Sequence, residues 1–241
     1  IMWFRRDLRL ADNPALLAAA ADGAEVIPVF VVDSTFAASG APRLAALNDA
    51  LSSLDRSLRD TAGVGLVNRH GDPVEVIPAL SSELDVDTVF VARDYTPYGR
   101  TRDAAVKAGL AESDRHLKGV GSPYAVAPGG VRKDDGDPYA VFTPFSKRWR
   151  SHGWDRPSDL PGDETRWLGA GRGSAAVASD GLFDRPEPGC DLPAMGEEAA
   201  LDRWRSFLHD GVDAYDDLRD LPAVAGTSQL SPALKWGTIH P

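Results

Sequence analysis

The residues whose types and spacing best suit chemistry lie near the end of the sequence, in GTSQLSPALKWG at 226–237. Ser231 is a natural N-cap, Pro232 suits a first helical turn, and Gly237 suits the position just past a helix end. A short helix is therefore expected to begin at Ser231. Thr227, Ser228 and Ser231 would place three hydroxyls and several free backbone N–H groups around its N-terminus, where the helix dipole is positive and a phosphate is favoured. Two readings follow from the spacing: an anion cradle, or an ordinary capped helix with a polar lead-in.

Other chemistries find less support. The histidines, His70, His116, His152, His209 and His240, show no H-x-x-x-H or Cys-paired spacing, so no metal site is expected. Cys190 is the only cysteine, which rules out an internal disulfide, and it stands in a Pro/Gly-rich stretch away from any base. No Walker A lysine pattern occurs. GAGRGS at 169–174 resembles a dinucleotide fingerprint only superficially, since no strand is expected before it, and it reads as linker.

A net charge of −10 argues against a surface that grips nucleic acid everywhere. A local basic face is still possible, because Lys147, Arg148, Arg150 and Arg156 cluster with Trp149 and Trp154. The alternative for that cluster is a solvated helix face with tryptophan packed beneath it. No apolar run reaches membrane-spanning length and no signal peptide opens the sequence, so a cytoplasmic location is expected.

The elements that must position these residues come earlier. Apolar runs near residues 1–4, 25–32, 65–69, 88–92 and 115–120 read as strands. Helical patterns near 12–21, 42–60, 73–84 and 99–109 separate them. The run at 25–32 is too uniformly apolar for a half-exposed strand, which points to a parallel sheet covered on both faces. Strand and helix alternate throughout, so the expected fold class is α/β, with a doubly wound five-stranded parallel sheet. In such sheets ligands collect at the carboxyl ends of the strands, which puts residues 33–43 and 93–99 beside a pocket. Regularity then falls away. A short helix is expected from a Thr143 cap and Pro144, residues 156–194 read as linker, and a helical pattern resumes near Glu197, with Leu201, Trp204, Phe207 and Leu208 on one face.

Three stretches together carry a resemblance: WFRRDLRLADNPAL at 3–16, YAVFTPFSKRW at 139–149, and Tyr215 through GTSQLSPALKWG. In this order they are similar to the DNA photolyase/cryptochrome family. The resemblance implies an α/β antenna domain at 1–125, a connector at 126–195, and at 196–241 the beginning of an all-helical FAD-binding domain. It implies that Tyr215, Thr227, Ser228, Leu230 and Ser231 contact FAD, chiefly around its phosphates. Gln229 stands where many relatives carry Arg. DYTPYGRTRD at 94–103 looks like the loop of deazaflavin-binding relatives, whereas folate-binding ones place Asn-Glu where Tyr98-Gly99 stand. By the same resemblance Arg43 and Asp94 hold the antenna chromophore, 8-hydroxy-5-deazaflavin rather than folate.

The implied activity is that of a deoxyribodipyrimidine photolyase, a lyase that repairs cyclobutane pyrimidine dimers in light. One alternative is a cryptochrome-type photoreceptor without repair, and another is a stand-alone small-molecule-binding α/β module with a helical appendage. The implied partner is ultraviolet-damaged DNA, met mainly through the helical domain, and a monomer is expected. No catalytic side chain is expected in this stretch, which alone would hold FAD weakly or not at all and be inactive. Trp204 is expected in a core.

Overall fold

The computed structural model describes residues 1–22, 25–171 and 177–241. Strand β1 (Met2–Phe4) is followed by helix α1 (Pro14–Asp22), strands β2 (Glu25–Val26) and β3 (Pro28–Val32), helix α2 (Ala41–Ala62), β4 (Val67–His70), α3 (Pro73–Glu83), β5 (Thr88–Val91), α4 (Pro97–Ala111) and β6 (His116–Gly119). The five-stranded sheet runs β4-β3-β1-β5-β6, and every pairing in it is parallel. The chain thus winds outward from β1 to β4, crosses back through α3, and winds outward again through β5. The switch point lies between β1 and β5.

Both faces of the sheet are covered, as the uniform apolar runs require. Along β1 the side chains alternate: Met2 and Phe4 join a core with α1 and α2, while Ile1 and Trp3 join one with α3 and α4. Helix α2 lays Leu47, Leu51, Leu54 and Leu58 on the first face, each almost fully buried. Burial of each leucine contributes about 1.5–3 kcal/mol of transfer free energy. Helices α3 and α4 each start at a proline behind a capping side chain. Asp72 accepts from the Val74 N–H and Thr96 from the Gly99 N–H.

The expected strand at 25–32 is two strands. It breaks at Ile27, and β2 leaves the main sheet to pair in parallel with β7 (Arg166–Trp167). Residues 166–171 and 177–185, inside the stretch read as linker, are tied to the α/β unit at β2, at β4 and at α2. Gly65 and Ala170 form an antiparallel bridge, the Asp180 N–H donates to the Asn68 carbonyl at 2.9 Å, and Arg185 forks onto Asp49 at 2.7 and 3.0 Å. Residues 172–176, which include the rest of the GAGRGS run at 172–174, lie outside the described residues.

Helix α5 (Phe142–His152) begins one residue before the expected Thr143 cap. Val141 stands at the cap without a side-chain bond, and no residue of α5 is buried. Trp149 and Trp154 are not packed beneath it but stack on each other, centroids 5.0 Å apart.

The last three helices are α6 (Glu197–Asp210), α7 (Tyr215–Leu218) and α8 (Ser231–Trp236). Of α6 only Ala200 is buried. Trp204, expected in a core, is 39% exposed and stacks on Phe207, because no other described element covers that face.

The charged loop after β1 holds this final segment. The Leu8 N–H donates to the Trp236 carbonyl at 3.1 Å, and Arg9 Nη1 donates to the Gly237 carbonyl at 3.0 Å. The N–H groups of Leu10 and Ala11 donate to the two carboxylate oxygens of Glu197 at 2.8 and 3.0 Å. Gly237 has φ 67°, and a Cβ there would run into the Arg6 carbonyl, so only glycine fits. Trp236 completes the first core.

Candidate functional site

A cavity of about 290 Å³ opens at the carboxyl ends of β1, β3 and β5. That is where a doubly wound sheet presents its loops to a ligand, and the volume is at the small end for a small-molecule site. Trp3 and Phe30 form apolar walls, and Asp33, Arg43, Asp94 and Tyr98 supply polar groups. Arg43 and Asp94 therefore share one cavity.

Asp94 is held in place. Its Oδ1 accepts from the Thr96 N–H at 2.9 Å and the Thr96 hydroxyl at 2.8 Å, and its Oδ2 faces Arg102 at 3.3 Å. Burial works against its charge, but these hydrogen bonds and the guanidinium keep its carboxyl below the usual range. The close approach of Asp94 to the α4 N-terminus depends on Gly99, since a Cβ at that position would fall on the carboxylate. Across the cavity, the Tyr98 hydroxyl donates to Asp33 Oδ2 at 2.5 Å. Burial and this bond raise the phenol above its ordinary value.

Behind the cavity wall, Arg5 pairs with Asp103 at 2.5 Å and Arg102 pairs with the same carboxylate at 2.8 Å. Arg5 and Arg102 lie over the Trp3 ring, 4.8 and 5.2 Å from its centroid. The RRD run of the first motif is thus structural as well as polar.

Of the lining residues that sequence reasoning missed, Trp3, Phe30 and Arg102 among them, two come from far along the chain. Lys235 and Trp236 reach the cavity from the C-terminal end of α8, the element assigned to the other site. Burial and the neighbouring Arg6 and Arg43 push the Lys235 ammonium below its ordinary value. Arg43 has no hydrogen-bond or ion-pair partner among the described residues. The cation-rich side of the cavity is therefore suited to a ligand with acceptor or anionic groups.

A second, more open hollow of about 600 Å³ lies between α6 and the loop leading into α8. Thr227, Ser228 and Gln229 line it, opposite Arg203, Ser206 and Phe207. The Nη1 atom of Arg203 is buried with no partner, the kind of orphaned donor an anionic oxygen satisfies. Tyr215 is 38% exposed beside Phe207, their rings edge to face at 5.8 Å, and Leu230 is buried with Ala200 and Ala233. Ser231 is not the N-cap. Gln229 takes a left-handed conformation, φ 51°, and Leu230 already has helical angles, so Leu230 stands at the cap and Ser231 is exposed as the first helical residue. The expected C-terminal stop is present, with Gly237 in the αL conformation. The structure brings Thr227 and Ser228 to one hollow and leaves Tyr215, Leu230 and Ser231 off its lining. Arg203 carried no sequence signal beyond being one more cation on a helix.

A family model described as DNA photolyase matches residues 1–162. The chain belongs to the DNA photolyase family.

As a family member it is 35% identical to the deoxyribodipyrimidine photo-lyase of Halobacterium salinarum, over 99% of this chain and 52% of the relative. Its fold matches that of a class III photolyase from Agrobacterium tumefaciens with TM-score 0.79 and 32% identity, over 100% of this chain and 50% of the other. A photolyase from Sulfolobus tokodaii, described as holding two FAD molecules with implication of a novel light-harvesting cofactor, matches with TM-score 0.77 and 25% identity over 99% and 52% of the two chains. The chain thus spans about half the length of these relatives. Its doubly wound α/β unit is the photolyase N-terminal α/β domain. Among the described residues no helix is long and apolar enough to cross a membrane, and no group of side chains is placed to hold a metal ion.

Proposed function

We propose that the whole protein is a deoxyribodipyrimidine photolyase, and that this chain supplies its antenna domain (1–125), its connector (126–195) and the first part of its FAD-binding domain (196–241). The observation that carries the reading is the pairing of two sites across α8 in a chain of this family. Lys235 and Trp236 line the cavity at the strand ends, while the loop just before the same helix lines the second hollow.

FAD fits the second hollow. Thr227 and Ser228 offer hydroxyls and backbone N–H groups, and the orphaned Arg203 donor awaits an anionic oxygen. Leu230 fixes the loop on α6, and Tyr215, against Phe207, and Ser231, at the start of α8, border the hollow without lining it. When bound and reduced, FAD would supply an electron that opens the cyclobutane ring and then returns to the flavin, which is the cofactor's chemistry rather than a side chain's. The residues of this chain bind and orient it, and none acts as acid, base or nucleophile.

The antenna chromophore fits the first cavity. Trp3 and Phe30 give apolar lining, Asp94 a fixed acceptor, Arg43 a donor with no hydrogen-bond or ion-pair partner among the described residues, and Lys235 an ammonium whose described neighbour is the Trp236 ring. An 8-hydroxy-5-deazaflavin, planar and rich in acceptors, suits this lining. The substrate is ultraviolet-damaged DNA, whose dimer must leave the base stack to meet the flavin. The protein acts as a monomer in the cytoplasm.

Dimer loss from an irradiated oligonucleotide, measured in light and in darkness with the complete, flavin-loaded protein, tests the reading. Repair only in light is expected. Flavin bound without dimer loss in light overturns it and leaves a cryptochrome-type photoreceptor.

A further inference from the structure

Within residues 142–156 there are four cations, Lys147, Arg148, Arg150 and Arg156, and one carboxylate, Asp155, in a chain whose net charge is −10. All four cations are exposed. Arg148 reaches Asp134 at 3.8 Å, and Lys147, Arg150 and Arg156 have no partner among the described residues. Lys147 and Arg150 stand three residues apart and so share one face of α5, with Cβ atoms about 5–6 Å apart. Gly153, at a φ of 71° and a ψ of −172° that favour glycine, ends the helix. Trp154, 59% exposed, lies against Trp149 with 29° between the rings.

Neither feature is explained by the fold. Basic residues in a last turn offset the helix dipole, which accounts for Arg150 and His152 but not for Lys147 or Arg156. A large exposed indole lying flat beside unpaired cations is an arrangement seen where nucleic-acid strands run, phosphates on the cations and bases on the ring. We propose that the C-terminal end of α5 and residues 153–156 form a DNA contact, carried by Lys147, Arg150, Arg156 and the Trp149–Trp154 stack. It binds the phosphate backbone without reading sequence or lesion, and it rests on the photolyase reading for its ligand. An acidic protein surface would meet the same cations, but only a nucleic acid uses the paired charge and the flat ring together.

The test is dark binding of an undamaged DNA duplex to the full native polypeptide across a salt series. In the triple variant K147Q/R150Q/R156Q, the slope of log affinity against log salt is expected to shrink by about 2–3, because each phosphate contact contributes about 0.9. The charge-keeping triple K147R/R150K/R156K retains the slope, as does R56Q, which removes an exposed cation on α2. In W154A, affinity for single-stranded DNA falls about tenfold with the salt slope kept.

An unchanged slope in the Gln triple overturns the proposal. So does a slope that changes only because the protein passes from dimer to monomer in sedimentation, which would give this face to a second copy. Slope unchanged with light-driven repair intact counts against this surface alone. Slope reduced as expected with no repair in light counts against the photolyase reading alone.

Discussion

Arg9 Nη1 donates to the carbonyl oxygen of Gly237 at 3.0 Å, joining residues 228 positions apart. Both are buried, and burial pushes the guanidinium of Arg9 below its ordinary value while Asp7 and Asp12 pull it back. The charged first loop is thus a clasp. It fixes the C-terminal end of α8, and with it the position of the cavity relative to the second hollow.

Loosening the clasp should cost stability. Gly237→Ala forces a side chain into the Arg6 carbonyl at a positive φ and is expected to destabilise by about 2–4 kcal/mol. Arg9→Met removes charged hydrogen bonds and should cost about 2 kcal/mol. Denaturant melts check both, and a Gly237→Ala protein as stable as wild type would contradict the clasp.

Gly99→Ala probes the site itself. The new Cβ must displace the Asp94 carboxylate, whose bonds to Thr96 then break. A loss of about 0.5–1.5 kcal/mol in stability is expected, together with about tenfold weaker retention of the antenna pigment, measured by its absorbance after gel filtration. Retention equal to wild type would show that Asp94 is not a ligand contact.

The acid limb of stability should depend on Asp94. Its folded-state carboxyl is held below the ordinary range, so its contribution is complete above about pH 4, the unfolded value, and is lost as pH falls through the folded one. Thermal melts between about pH 6 and 3 should therefore show a shallower decline for Asp94→Asn than for wild type. Parallel curves would count against it.

Much of the fold was legible because its signals are local. Pro73 marks the start of α3, and the apolar run at 88–91 has no exposed face to disguise it, whereas α4 starts at Pro97 behind the Thr96 cap, two residues before the expected 99. The break at Ile27 was not legible, since it depends on β7, more than a hundred residues later, pairing with β2. The cavity was half legible. Strand-end logic found the loops carrying Asp33, Arg43 and Asp94, but Lys235 and Trp236 enter through the clasp, a contact with no signature in either segment. Ser231 was misplaced at the cap because the left-handed turn at Gln229 starts the helical conformation one residue early.

The most direct measurement is a wavelength-resolved repair spectrum of the complete protein carrying both pigments, for wild type and for Arg43→Ala/Asp94→Ala. The account predicts that dimer loss in the wild type follows the absorption of the antenna pigment as well as that of reduced flavin. In the double variant it should collapse onto the flavin spectrum while repair per flavin-absorbed photon is kept. No dimer loss at any wavelength, or a double variant whose spectrum matches wild type, would contradict it.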